Sequence, residues 1–102
     1  MKNKSYENFF ANFSNHTRMQ IIGALMEKPM SVSEIVAKVG EEQSNVSHHL
    51  QHLTKCKILG VKKKGKQRIY AINKKTVNPM LKLVESHTYG CGGSCASCNL
   101  CN

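Results

Sequence analysis

Apolar residues recur at helical spacing through the first third of the chain. Residues 6–13 form a short apolar-rich segment that predicts a helix. Residues 16–28 predict a second helix, because apolar side chains return there with the period of a helix face: Met19, Ile22, Leu25 and Met26. Pro29 ends this second helix, since a proline disfavours helical geometry in the residue before it.

Two further helices follow in close succession. Ser31 and Glu34 form the S-x-x-E pattern of a capping box, and Gly40 can adopt the left-handed conformation that ends a helix. The apolar side of this helix is Val32, Ile35, Val36 and Val39. The next helix begins near Gln43. Its apolar face is Val46, Leu50 and Leu53. Two short helices joined by a tight turn that contains glycine predict a helix-turn-helix.

The pattern changes from helix to strand after this point. Residues 58–64 and 67–72 predict two strands, and Gly65 followed by Lys66 suits a type II′ hairpin turn. The half-buried side of the hairpin is expected to be Val61, Ile69 and Ala71. The charged side is expected to be Lys62, Lys64, Lys66 and Arg68. Such a hairpin after a helix-turn-helix is a wing.

A last helix is predicted from about residue 75 to residue 87, or from nearer Asn78, because Pro79 is tolerated only in a first turn. It is apolar on more than one side, through Met80, Leu81, Leu83 and Val84. This indicates a dimer interface, with packing onto the domain's own core as the alternative. The predicted fold class is mainly α with a small β-hairpin, a winged helix-turn-helix. Residues 1–88 form the DNA-binding and dimerisation domain of this prediction, and residues 89–102 a Cys-rich tail.

Positive charge concentrates on the predicted wing. The formal net charge is +9, and residues 55–75 hold nine Lys or Arg residues and no acid. Such a density attracts a polyanion, although a solvated lysine-rich surface is the alternative. The polar face of the third predicted helix suits base edges and phosphates of DNA: Gln43, Ser44, Ser47, His48 and Gln51. The wing residues expected to contact phosphates are Lys62, Lys64, Lys66 and Arg68.

The sequence also bounds compartment and class. No stretch approaches the roughly 18 apolar residues that a membrane helix needs, and no apolar segment follows the basic N-terminal residues as in a signal peptide. We therefore expect a cytoplasmic protein without a membrane partner. No arrangement of nucleophile, base and orienting residue is evident. The C-x3-C-x2-C spacing of radical enzymes is present, but the barrel that holds their substrate is not, so we expect no enzyme.

Four of the five cysteines crowd into the segment from residue 91 to residue 101. Their C-x3-C-x2-C-x2-C spacing lets one loop surround a metal centre with thiolates: Cys91, Cys95, Cys98 and Cys101. Four thiolates suit Zn²⁺ or Cd²⁺, three suffice for As(III) or Pb²⁺, and C-x2-C-x2-C also resembles the spacing that holds an iron–sulfur cluster. The alternatives are a tail of unligated thiols and a thiol–disulfide redox pair at Cys95 and Cys98.

The stretch from residue 15 to residue 72 resembles the ArsR family of winged-helix repressors. The opening N-x-x-R-x-x-I-I-x-x-L is matched by Asn15, Arg18, Ile21, Ile22 and Leu25. The recognition-helix pattern Q-S-x-V-S-x-H-L-x-x-L is matched by Gln43, Ser44, Val46, Ser47, His49, Leu50 and Leu53, and the wing ending GKQRIYAI by residues 65–72. The resemblance implies a homodimer that binds a palindromic double-stranded DNA operator, represses without ligand, and releases DNA when an effector binds.

The resemblance leaves the sensor site open. Many family members place a cysteine pair in the helix before the recognition helix, which here has none, and others use the last helix, where only Glu85 and His87 are candidates. His52 and Cys56 stand four residues apart and could join tail cysteines, and His87 could join Cys91. The alternatives are a buried apolar Cys56, a surface His52, and a solvent-exposed His87 at the end of its helix.

Overall fold

Five helices and three strands follow one another along residues 3–90, the part of the chain that the computed structural model describes. In chain order they are α1 (Asn3–Ala11), α2 (His16–Glu27), β1 (Met30–Ser31), α3 (Val32–Val39), α4 (Gln43–Lys55), β2 (Leu59–Lys64), β3 (Gln67–Ile72) and α5 (Val77–Gly90). The predicted fold class, a mainly α winged helix-turn-helix, is confirmed. Helix α5 includes the first two residues of the predicted tail, 89 and 90, and residues 91–102 lie outside the described part of the chain.

Local capping bonds set the ends of α2 and α3. The Asn15 side chain accepts a hydrogen bond from the Arg18 amide at 3.0 Å, which caps α2. The predicted capping box is formed: the Ser31 amide donates to Glu34 Oε1 at 3.1 Å, and the Glu34 amide donates to Ser31 Oγ. Gly40 ends α3 at φ 77°, as predicted, and its amide donates to the Val36 carbonyl.

A Schellman motif ends α4 without the glycine that such motifs favour. The Ile58 amide donates to the Leu53 carbonyl at 3.0 Å, and the Lys57 amide donates to the Thr54 carbonyl at 3.1 Å. Lys57 itself has a φ of 63°. No other non-glycine residue of the described part of the chain has a positive φ. The left-handed conformation costs a residue with a Cβ about 1–2 kcal/mol. Burial of the neighbouring Leu53 and Ile58 side chains offsets this cost.

The sheet has one strand more than the sequence predicts. Its order is β1–β3–β2, all antiparallel, and the two-residue β1 pairs Met30 with Tyr70. Between β2 and β3, Gly65 has a φ of 64° while Lys66 keeps a negative φ, which agrees with the predicted type II′ turn.

The predicted buried side of the hairpin is wrong in part. Ile69 and Ala71 are half-buried as expected, but Val61 is 43% exposed. The fully buried positions of β3 are Tyr70 and Ile72. Alternation along β3 alone does not tell which side meets the core, and the pairing of β1 with β3 brings the Tyr70 side against the helices.

The core forms where α2, α3, α4 and the start of the wing meet. Its fully buried side chains include Ile21, Ile35, Leu50, Leu53 and Ile58. The predicted apolar face of α4 is confirmed, since Val46, Leu50 and Leu53 have no exposed area. Each such side chain contributes roughly 1.5–3 kcal/mol of hydrophobic free energy, so α4 is held firmly by the side that faces away from solvent.

Three helices present apolar side chains to solvent, and on α2 these are Met19 and Met26 of its predicted apolar face, 38% and 40% exposed. Tyr6 and Phe10 on α1 are about half exposed, and Leu83 and Val84 on α5 are 72% and 51% exposed. Within residues 3–90, no helix is long and apolar enough to cross a membrane.

Candidate nucleic-acid interface

The outward face of α4 is polar. Gln43, Ser44, His48 and Gln51 are exposed, and Ser47 is half-buried. The opposite face of the same helix is the buried one, because residues three and four apart share a side of a helix. A helix whose polar face lies free beside a basic hairpin has the size and chemistry to enter a major groove. The assignment of these five residues to DNA remains a prediction.

The wing extends this surface with positive charge. Lys62, Lys64, Lys66 and Arg68 are all exposed. Their expected grouping on one side is wrong, however, because the register pairs Arg68 with Lys63 and Lys64 with Gln67. Paired residues share a face and neighbours along a strand alternate. Lys63 and Arg68 therefore lie on one face of the hairpin, and Lys62 and Lys64 on the other. Lys63 is an exposed cation that the sequence interpretation did not include.

A hydrogen-bonded group behind the polar face was also missed. Arg18 Nε donates to His49 Nδ1 at 3.0 Å, and Arg18 Nη1 donates to Asn12 Oδ1 at 2.8 Å. Burial and then the neighbouring Arg18 guanidinium lower the pKa of His49 below its usual value. The N-x-x-R and H-L letters of the family pattern contain Arg18 and His49, but only the fold shows that they meet.

The candidate metal ligands of the described region do not form a complete site. Cys56 is exposed at the C-cap of α4, so its interpretation as a buried apolar residue is wrong. His52 is exposed, with its ring centroid 5.1 Å from that of His48, and His87 is exposed in the last turns of α5. Within residues 3–90, no group of three His, Cys, Asp or Glu side chains could hold a metal ion. The four predicted thiolate ligands, Cys91, Cys95, Cys98 and Cys101, lie outside the described residues.

Comparison with known proteins gives a family and a set of relatives. Residues 15–59 match the family described as "Bacterial regulatory protein, arsR family". An uncharacterized HTH-type transcriptional regulator of Methanocaldococcus jannaschii is 34% identical over 77 residues, which are 74% of this chain and 86% of that protein.

Solved structures share the fold. NolR of Sinorhizobium fredii superimposes with a TM-score of 0.77 at 22% identity, covering 91% of this chain and 89% of its own. The homodimeric winged helix-turn-helix DNA-binding domain of Mb0332 from Mycobacterium bovis gives a TM-score of 0.77 at 21% identity, covering 84% of this chain and 80% of its own.

Proposed function

Because the chain belongs to the ArsR family of transcriptional regulators, we propose that it is a homodimeric repressor. We propose further that its C-terminal thiolates control its binding to a palindromic operator. The observation that carries the proposal is the exposed polar face of α4 beside a wing with exposed cations on both sides. The polar face reads base edges, and the wing binds phosphates. We place the protein in the cytoplasm, where its operator is.

Sequence reading is assigned to Gln43, Ser44, Ser47, His48 and Gln51. The test replaces Ser47 and His48 together by alanine and measures affinity for a duplex selected by the wild-type protein from a random pool. Good base contacts contribute about 1–3 kcal/mol each, so affinity for the selected duplex should fall at least tenfold while affinity for a scrambled duplex stays the same. Gln20→Ala, exposed on α2, is the matched control. Unchanged affinity in the double variant would overturn the assignment.

Dimerisation is assigned to the exposed apolar side chains of α1 and α5. A second copy would cover Tyr6, Phe10, Leu83 and Val84 and would place two α4 helices about 34 Å apart, one turn of DNA. The Mb0332 domain, which shares the fold, is homodimeric, and this supports dimerisation without specifying which surface is used. Leu83→Lys should produce a monomer in sedimentation experiments, whereas Gln20→Lys adds the same charge elsewhere and should remain dimeric. A dimeric Leu83→Lys protein would rule out this interface.

Effector sensing is assigned to Cys91, Cys95, Cys98 and Cys101. Within residues 3–90 of one protomer, no group of three ligands could hold an ion, and the clustered thiols of the tail supply the donors for which we propose this role. The candidate ligands are soft ions (Zn²⁺, Cd²⁺, Pb²⁺ or As(III)) or an iron–sulfur cluster, all of which thiolates bind. Cys56, His52 and His87 are exposed and are the candidate additional ligands.

The sensing test compares the wild type with a variant in which the four tail cysteines are serine. Wild-type protein, purified without oxygen and loaded with each ion or a reconstituted cluster, should lose roughly 5–150-fold in DNA affinity with one of them, the usual range of allosteric coupling. The serine variant should bind DNA and ignore the ligand. DNA release on oxidation alone, with loss of the thiol hydrogens in the mass spectrum, would overturn the metal centre and show that a disulfide switch controls DNA binding. No response to any treatment would overturn thiolate control.

A further inference from the structure

Two adjacent histidines of α4 have opposite surroundings. His48 points to solvent, whereas His49 is only 9% exposed and its Nδ1 accepts a hydrogen bond from Arg18 Nε at 3.0 Å. Arg18 lies in the first turn of α2, so this bond joins α2 to the helix that carries the proposed base-reading face.

The same guanidinium reaches back to the end of α1. Arg18 Nη1 donates to Asn12 Oδ1 at 2.8 Å, and Asn12 Nδ2 donates to the Asn8 and Phe9 carbonyls at 3.1 and 3.2 Å. Asn12 is 2% exposed, so its amide is fixed by these bonds rather than by water. The continuous series of hydrogen bonds from the α1 backbone through Asn12 and Arg18 to His49 is called the α1–α4 relay below.

We propose that Asn12, Arg18 and His49 are positioning residues that hold α4 in its DNA-reading orientation against α1, and that a proton on His49 Nδ1 disconnects them. The inference rests on the proposed DNA binding and adds to it a mechanical link and a proton sensitivity. Because α1 also carries Tyr6 and Phe10 of the proposed dimer surface, the relay connects that surface to the reading face.

The proton sensitivity follows from the bond's polarity. A guanidinium N–H can only donate, so His49 Nδ1 must keep its lone pair. Protonation would set two donors and two positive charges against each other. The charged and titratable groups around His49 are Arg18 from α2, His48 and His52 from α4, and Glu41 from the segment before α4. Of these, only Glu41 favours the protonated ring, and its effect is the smallest.

His49→Asn tests the proton step, because the asparagine oxygen can accept from Arg18 near the position of Nδ1 but does not titrate. The probe is a labelled duplex selected by the wild type from a random pool at pH 8, with affinity measured from pH 8 to pH 5.5 at fixed ionic strength. Circular dichroism confirms that each protein is folded at each pH. Every other titratable side chain is the same in both proteins, so the ratio of the two affinities isolates His49.

We expect equal affinities at pH 8 and a relative loss of about threefold or more in the wild type at pH 5.5. Parallel curves for the two proteins would overturn the proton step. Failure of the wild type to select or bind any duplex at pH 8 would instead overturn the proposed function.

A double-mutant cycle tests the mechanical link. His49→Leu and Asn12→Ala each break one end of the relay, so their combined loss of DNA affinity should be clearly smaller than the product of the separate losses. Ser31→Ala, which removes the α3 cap and leaves every bond of the relay in place, should combine multiplicatively with His49→Leu. Multiplicative losses for Asn12→Ala and His49→Leu would overturn the link.

Discussion

Arg68 lies directly opposite Lys63 across the hairpin, on the face of the wing that Lys62 and Lys64 do not share. Like charges paired across strands destabilise a hairpin in isolation. A polyanion close to this face would neutralise the pair, and Lys62 and Lys64 present positive charge to a polyanion on the other face. A hairpin that enters a minor groove has this environment, because phosphates of both DNA strands flank it.

The two faces of the wing should therefore contribute similarly to DNA affinity. Lys63→Ala with Arg68→Ala, and Lys62→Ala with Lys64→Ala, should each reduce the slope of log affinity against log salt by about 1.8 per subunit, since each lost phosphate contact removes about 0.9. Preference for the selected duplex over a scrambled one should hardly change. If replacing one of the two pairs leaves the salt slope unchanged, the wing contacts a single DNA strand through its other face.

The end of α4 should tolerate glycine better than lysine. Lys57→Gly removes the cost of a left-handed residue with a Cβ and should raise the free energy of unfolding by about 0.5–1 kcal/mol, after allowance for the flexibility that glycine adds to the unfolded chain. This corresponds to a few degrees in the thermal midpoint.

Gly40→Ala is the matched opposite. Its φ of 77° is equally left-handed and no atom crowds the site, so the same strain should now lower the free energy of unfolding by about 1 kcal/mol. A fall in the midpoint for Lys57→Gly would show that the lysine side chain itself stabilises this cap.

The capping box of α3 should contribute to the free energy of unfolding about as much as one typical helix cap. Ser31→Ala leaves the Glu34 amide without its acceptor and should lower the free energy of unfolding by about 1 kcal/mol in chemical denaturation. The Ser31 amide and hydroxyl lower the pKa of Glu34 by bonding to its carboxylate. Ser86→Ala, on the exposed side of α5, should have no measurable effect. Equal stability of the two variants would mean that the box does not contribute.

His49 should make the fold sensitive to mild acid. Burial, then Arg18, lower its pKa in the folded chain below the ordinary value of about 6.5, so the folded state binds fewer protons than the unfolded state below that pH. The stability from neutral His49 is thus complete above about pH 6.5 and is lost as the pH falls through the folded-state pKa. Thermal midpoints from pH 7.5 to pH 5 should fall more steeply in the wild type than in His49→Asn. Identical slopes would refute this assignment.

Features set by neighbouring residues were predictable from sequence. The ends of α3 follow from Ser31, Glu34 and Gly40, and the buried side of α4 follows from the spacing of Val46 and Leu50. Each depends on a few adjacent positions whose side chains or backbone angles act locally, so the local sequence pattern is enough to predict it.

Features set by distant partners were not predictable in the same way. The buried side of β3 depends on pairing between Met30 and Tyr70, and the charge pattern of the wing depends on the register that sets Arg68 against Lys63. Arg18 and His49 are separated by 31 positions and meet only after α2 and α4 have packed. The exposed face of α4 was predicted correctly, but the group that positions it needed the tertiary structure.

The two-residue β1 affects how the wing and the helix-turn-helix would move when DNA is released. It hydrogen-bonds β3, the central strand of the sheet, to the connection between α2 and α3, and α3 packs against α4, so the wing is linked to the helix proposed to read DNA. If the chain binds DNA as proposed, a signal that tilts the wing should also tilt α4, and base contacts and phosphate contacts should be lost in the same movement. Occupancy of the operator should consequently respond to effector as a single concerted step, without a loosely held intermediate that keeps backbone contacts after sequence contacts are gone.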